Sequence, residues 1–281
     1  MSELEIIDTI YKALIENKSR SGIPIHLGGR AIVGTVQDDP FDVWISEEIS
    51  SALPDTVQVF HSGSLTTPDL IIRDISTGTL VGIEIKTLIQ KSNGSDPRGL
   101  TIDYNSSLPC GKTMIKVGKD TVIIPCFYLF ALLDSASRYI VTMIIVDGDF
   151  LNYDFDLYKE AKYANYSEYD HGPYAEGSVR HRRMYTYPNP LNSKISEFHM
   201  RMILLAKKSD FDKLTDKSNI SEQVVRSDKD GNDFYYYLKD MANPSEVDSN
   251  ALITLKDVFA TCKNRKAKKR TAAMPAIPLI N

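Results

Sequence analysis

Three residues of this chain have the types and spacing to do chemistry together: Asp69, Glu84 and Lys86. Asp69 sits near the start of Thr67-Pro68-Asp69-Leu70-Ile71-Ile72-Arg73-Asp74, and Glu84 and Lys86 close Val81-Gly82-Ile83-Glu84-Ile85-Lys86. Both runs read as strands, and Ser76-Thr77-Gly78-Thr79 between them reads as a turn. An antiparallel hairpin of the two strands brings two carboxylates and one ammonium to the same edge of a sheet. Carboxylate oxygens suit a hard divalent cation, and such a cation activates a water for attack on a phosphodiester. Strand alternation points Glu84 and Lys86 to one face, and Ile83 and Ile85 to the other. Pro-Asp is also a common turn dipeptide, and Glu-x-Lys is often a solvated strand end. The case therefore rests on spacing, hydrophobic frames and flanking elements taken together.

Those flanking elements have clear signals. Ile6, Ile7, Ile10, Leu14 and Ile15 fall at helical spacing within residues 3–17, predicting an amphipathic first helix. A Gly-rich segment follows. Asp38-Asp39-Pro40-Phe41 then marks a second helix start, running to about Leu53 before Pro54, with Phe41, Trp44, Ile45, Ile49, Ala52 and Leu53 as its stripe. Val57–Phe60 predicts a short strand, and residues 91–112 a polar loop. Val122–Leu133 and Tyr139–Val146 predict buried strands around the turn Asp134-Ser135-Ala136-Ser137. Residues 151–190 are rich in Tyr and charge without periodicity. Ile195–Lys207, Ser209–Leu214 and Asp248–Cys262 read as helical, and Asp233–Leu238 is a short aromatic run. This order predicts an α/β or α+β core, a central mixed β-sheet flanked by helices.

Bulk properties bound the classes. With 281 residues, 42% hydrophobic and 25% charged, the chain is long enough for one large elaborated domain. The formal net charge of −4 does not exclude a nucleic-acid partner, because phosphate affinity depends on where Lys and Arg cluster. Cys110, Cys126 and Cys262 are odd in number and lack metal-ligand spacing, which predicts reduced thiols in a cytoplasmic protein. The acidic start Met1-Ser2-Glu3-Leu4-Glu5 has no signal-peptide shape, and Val122–Leu133 is too short to span a bilayer, so no membrane partner is expected. The five histidines show no zinc-site spacing, and no nucleophile elbow or phosphate-binding Gly-rich loop is present.

Around Pro68-Asp69 and Glu84-Ile85-Lys86 the sequence resembles the PD-(D/E)XK nuclease superfamily, and within it a type II restriction endonuclease. The resemblance covers roughly residues 39–147. It implies a restriction-endonuclease-like core, with residues 151–262 adding recognition and dimer contacts and residues 263–281 forming a basic tail. It implies that Asp69 and Glu84 bind Mg²⁺, that the Ile85 carbonyl completes the site, and that Lys86 orients or helps deprotonate the attacking water. A Glu of the preceding helix frequently joins such a site; Glu48, on the stripe of that helix, is the candidate, with Glu47 the fallback and a solvent-facing Glu48 the alternative.

The implied activity is Mg²⁺-dependent hydrolysis of double-stranded DNA at a short specific sequence, leaving 5′-phosphates, by a homodimer that matches the two-fold symmetry of a palindrome. Asn105 and Lys112, in a segment that also carries Lys91, Arg98, Lys116 and Lys119, are candidate DNA contacts. So are Arg180, Arg182 and Arg183, which lie among tyrosines and otherwise form a solvated loop. The run Lys263–Arg270 is either a sequence-independent DNA contact or a solubilising tail. Rival functions are a structure-selective or repair nuclease of the same chemistry, a non-catalytic DNA-binding module, and an unrelated α/β protein carrying the motif by accident.

Overall fold

The computed structural model describes residues 1–28, 40–62, 67–93, 101–103, 110–152, 183–185, 191, 198–227 and 230–240. Helix α1 (Glu3–Ile15) begins with a capping box between Ser2 and Glu5, and buries Ile6, Ile7, Ile10, Tyr11 and Leu14. Helix α2 (Pro40–Ala52) starts at Pro40, where proline's fixed φ suits a first helical position, and buries Phe41, Trp44, Ile45 and Ile49. Between them lies the two-residue β1 (Ile23–Pro24).

The strands that follow are β2 (Val57–His61), β3 (Leu70–Asp74), β4 (Leu80–Ile89), β5 (Thr101–Asp103), β6 (Lys112–Val117), β7 (Asp120–Leu133), β8 (Tyr139–Asp147), β9 (Arg183–Tyr185), β10 (Met202–Lys207), β11 (Ile220–Ser227) and β12 (Asp233–Asp240). A 3₁₀ turn (Gly148–Leu151) follows β8, and one helical turn, α3 (Lys208–Phe211), follows β10. The main sheet runs β11-β12-β10-β8-β7-β4-β3-β2, with β1 paired to β8 and β6 paired to β7. β4 with β7 and β8 with β10 are parallel, and the other pairs are antiparallel, so this is an α+β protein around a mixed sheet. β5 and β9 form a separate two-stranded sheet. Among the described residues no helix is long and apolar enough to cross a membrane.

The sheet has two apolar faces. On one, Leu70, Ile72, Val81, Ile83, Ile85, Leu129 and Ile145 pack with α1 and α2. On the other, Leu88, Cys126, Tyr128, Phe130, Ile144 and Leu205 form a second core with Phe150 and Tyr236. Strands buried on both sides are continuously apolar rather than alternating. That pattern explains one correction within the predicted helix Ile195–Lys207: its described residues, 198–207, are not helical. Met202–Ala206 is fully buried as β10, between β8 and β12. A short continuous apolar run fits either element, and here the two flanking strands decide. Two further differences concern the polar segment 91–112, which contains β5, and β6, which pairs with an extension of β7 back to Asp120. Asp248–Cys262 and the basic tail lie outside the described residues.

Candidate active site

β3 and β4 pair antiparallel from Arg73↔Leu80 to Leu70↔Ile83. One step beyond that last pair Asp69 stands opposite Glu84, on the face away from the two helices. Here the Asp69 side chain takes over from the backbone ladder: its Oδ2 accepts a hydrogen bond from the Ile85 N–H at 2.6 Å. In a strand the N–H and C=O of one residue leave on the same edge, so the Ile85 carbonyl also faces the β3 side. The Ile85 side chain is buried against the helices. On the opposite face Lys86 Nζ lies 2.7 Å from Glu84 Oε1. Glu84 is 2% exposed and the Lys86 side chain 22%, so the carboxylate is sunk in the protein while its cation reaches solvent.

Two small residues make this geometry possible. A Cβ on Gly82 would lie 2.8 Å from Pro68 Cγ and 3.3 Å from Thr113 Cγ2, so glycine lets the Pro68 ring rest on β4. Thr113 Oγ1 donates to the Thr67 carbonyl at 3.1 Å, tying β6 to the segment that carries Asp69. Thr113 is missed by sequence reasoning, since its partner is distant in the chain; Gly82 gave a signal, as a lone glycine inside an apolar strand.

The surroundings of Glu84 are dry. Tyr128 of β7 is its neighbour across the parallel ladder. Burial pushes the Tyr128 phenol and the Cys126 thiol well up, and the nearby Glu84 charge adds to both. Both therefore stay neutral at ordinary pH. Beside an apolar floor of this kind, charge–charge interactions are stronger than in water.

Two oxygen-bearing side chains on one face fit a cation that keeps several of its own waters, as Mg²⁺ does. Among the described residues no group of three or more His, Cys, Asp or Glu that could hold a metal is found. The apolar stripe of α2 packs into the core on the helix side of the sheet, with Glu48 half-buried and Glu47 exposed. Lys112 is exposed at the start of β6. Arg183 lies on β9, where its backbone pairs with Asp103. Asn105, Arg180 and Arg182 lie outside the described residues.

A second charged cluster closes the end of β8. Asp147 accepts from the Asp149 N–H at 2.9 Å, and Lys207 bridges both carboxylates, 3.5 Å from Asp147 and in direct contact with Asp149. Burial pushes the Asp147 carboxyl up to about 6 in spite of Lys207. Gly111 packs against Asp149, which links this cluster to the start of β6. No family model, no curated protein and no solved structure matches the chain.

Proposed function

We propose that the protein is a divalent-metal-dependent nuclease acting on double-stranded DNA, with a restriction-endonuclease-like core and a type II, sequence-specific mode of cleavage. The observation that carries this is the fork between β3 and β4, where the Asp69 carboxylate holds the Ile85 backbone beside the Glu84–Lys86 pair on one sheet face. Mg²⁺ held by Asp69, Glu84 and the Ile85 carbonyl would supply Lewis-acid charge at a phosphate oxygen. Asp69 is oriented for this by its own hydrogen bond to β4. Lys86, anchored through Glu84 and reaching solvent, is placed to position an attacking water and to offset charge on the phosphorane. In-line displacement at phosphorus needs such positioning and charge stabilisation above all. Two copies acting as a homodimer would match the two strands of a palindromic site.

The test is digestion of plasmid and phage DNA with and without Mg²⁺, comparing wild type with Glu84→Ala and Lys86→Ala. Discrete fragments that need Mg²⁺ and vanish in both variants are the expected result. Cutting confined to junctions, flaps or damaged DNA would point instead to a repair nuclease. A folded wild type that cuts none of these, or cutting that survives both substitutions, overturns the proposal.

A further inference from the structure

β6 and β7 extend past the main sheet as a hairpin: β7 pairs with β4 only from Cys126 and with β8 only from Phe127, whereas residues 120–125 pair with β6. The hairpin closes on Gly118-Lys119, with Gly118 at φ +63°, a conformation a two-residue turn of this kind requires. Its inward face is packed, with Thr113, Ile115 and Ile124 buried. Its outward face is not. There Met114 and Ile123 are direct cross-strand partners, 40% and 57% exposed, flanked by Lys112 opposite Pro125 and by Lys116 opposite Thr121. Exposed apolar residues scattered singly are ordinary, but a paired Met and Ile framed by lysines form a patch. The hairpin carries three lysines, Lys112, Lys116 and Lys119, and one acidic residue, Asp120, in a chain whose net charge is −4. Among the described residues none of these three lysines forms an ion pair. The base of the hairpin touches the candidate active site, because Thr113 bonds Thr67, two residues before Asp69.

We propose that the outward face of the β6–β7 hairpin grips duplex DNA next to the Asp69–Glu84–Lys86 site, an inference that rests on the nuclease function proposed above. The occupant follows from charge complementarity: a polyanion suits three exposed lysines on one ribbon. A two-stranded ribbon fits the major groove, about 12 Å wide. Lys112, Lys116 and Lys119 contact phosphates, while Met114 and Ile123 pack on sugars or base edges.

The test is fluorescence anisotropy with a labelled mixed-sequence duplex over a salt series, in Ca²⁺ to hold DNA uncut, alongside plasmid cleavage in Mg²⁺. All substituted side chains are exposed, and circular dichroism confirms that each variant folds. The triple variant Lys112→Ala, Lys116→Ala, Lys119→Ala should weaken binding roughly tenfold or more and flatten the logarithmic salt dependence by about 2–3. Met114→Ser with Ile123→Ser should weaken binding at every salt concentration and leave that slope unchanged. Unaltered affinity and slope in both variants overturn the hairpin proposal, even where wild type cuts DNA and the nuclease proposal stands. A wild type that binds through the hairpin yet never cuts removes the nuclease proposal and keeps this one. A wild type that does not bind the duplex overturns the hairpin contact. So does self-association lost in the Met114→Ser, Ile123→Ser variant with DNA affinity intact, which would mark the face as a protein interface.

Discussion

The Asp69 carboxylate accepts the backbone N–H of Ile85 at 2.6 Å, which makes one side chain both a fastener between two strands and a candidate metal ligand. The two roles separate by substitution. Asp69→Asn keeps an oxygen acceptor for Ile85 and loses the charge; Asp69→Ala loses both. Cleavage in Mg²⁺ should therefore disappear in both variants. Stability measured by urea unfolding should fall by about 1–3 kcal/mol in the alanine variant and by less in the asparagine variant. Equal destabilisation by both would mean that charge, not the hydrogen bond, holds the fork.

Gly82 tests the positioning of that residue from beneath. Alanine there meets the rigid Pro68 ring at 2.8 Å, so the Pro68-Asp69 segment must lift. Gly82→Ala should cost about 1–3 kcal/mol and reduce cleavage at temperatures where the variant remains fully folded. Full activity in a folded Gly82→Ala variant would show that the close approach of Pro68 has no bearing on the site.

Far from the site, a buried ion pair fastens α1 to the sheet. Lys239 of β12 is fully buried, with Asp8 Oδ1 2.9 Å away, and Lys12 links Asp8 to Asp216 on the surface. Removing Asp8 leaves the buried ammonium only the half-exposed Asp216, 3.9 Å away, so Asp8→Ala should cost about 3–5 kcal/mol in urea unfolding. Asp216→Ala, whose side chain is half exposed, should cost less than about 1 kcal/mol. Similar losses for the two would contradict this ranking.

Asp147 should leave a mark on the pH dependence of stability. Burial raises its folded value from 3.8 to about 6, so between those limits the folded chain binds more protons than the unfolded chain at this group. Stability from Asp147 thus declines as pH rises through that window and is flat above it. Asp147→Asn preserves an oxygen for the Asp149 N–H and removes the titration. Relative to wild type, the variant should gain stability from about pH 4 to pH 6 and hold a constant difference beyond. A difference that is constant throughout, measured by urea unfolding at a series of pH values, would show that the carboxyl titrates normally.

What could be seen in the sequence was what local pattern controls. Leu70–Asp74 and Leu80–Ile89 pair as the alternation and intervening turn required, and Asp69 and Glu84 meet at the open end of that hairpin. β7 and β8 turn about Asp134, whose carboxylate accepts from Arg138 and Tyr139 N–H groups. What escaped was set by distant partners. Met202–Ala206 has no period to distinguish strand from helix, and only its pairing with β8 and β12 settles it. β6 is disguised by exposed Lys112, Met114 and Lys116, because only its alternate residues Thr113 and Ile115 are buried. The stripe of α2 was legible at Phe41, Trp44, Ile45 and Ile49, yet a stripe does not say which sheet face it meets.

The parallel pairing of β8 with β10 also has a consequence for how the chain is made. Met143 pairs with Met202, and β1 covers only Tyr139 and Ile140 on β8. During vectorial synthesis, the edge of β8 from Met143 to Val146 stays open until β10 leaves the ribosome. An open apolar strand edge is a template for pairing with other chains. Nascent or truncated chains ending before β10 therefore expose an edge in the middle of the sheet, which β10 closes before β12 in turn covers β10.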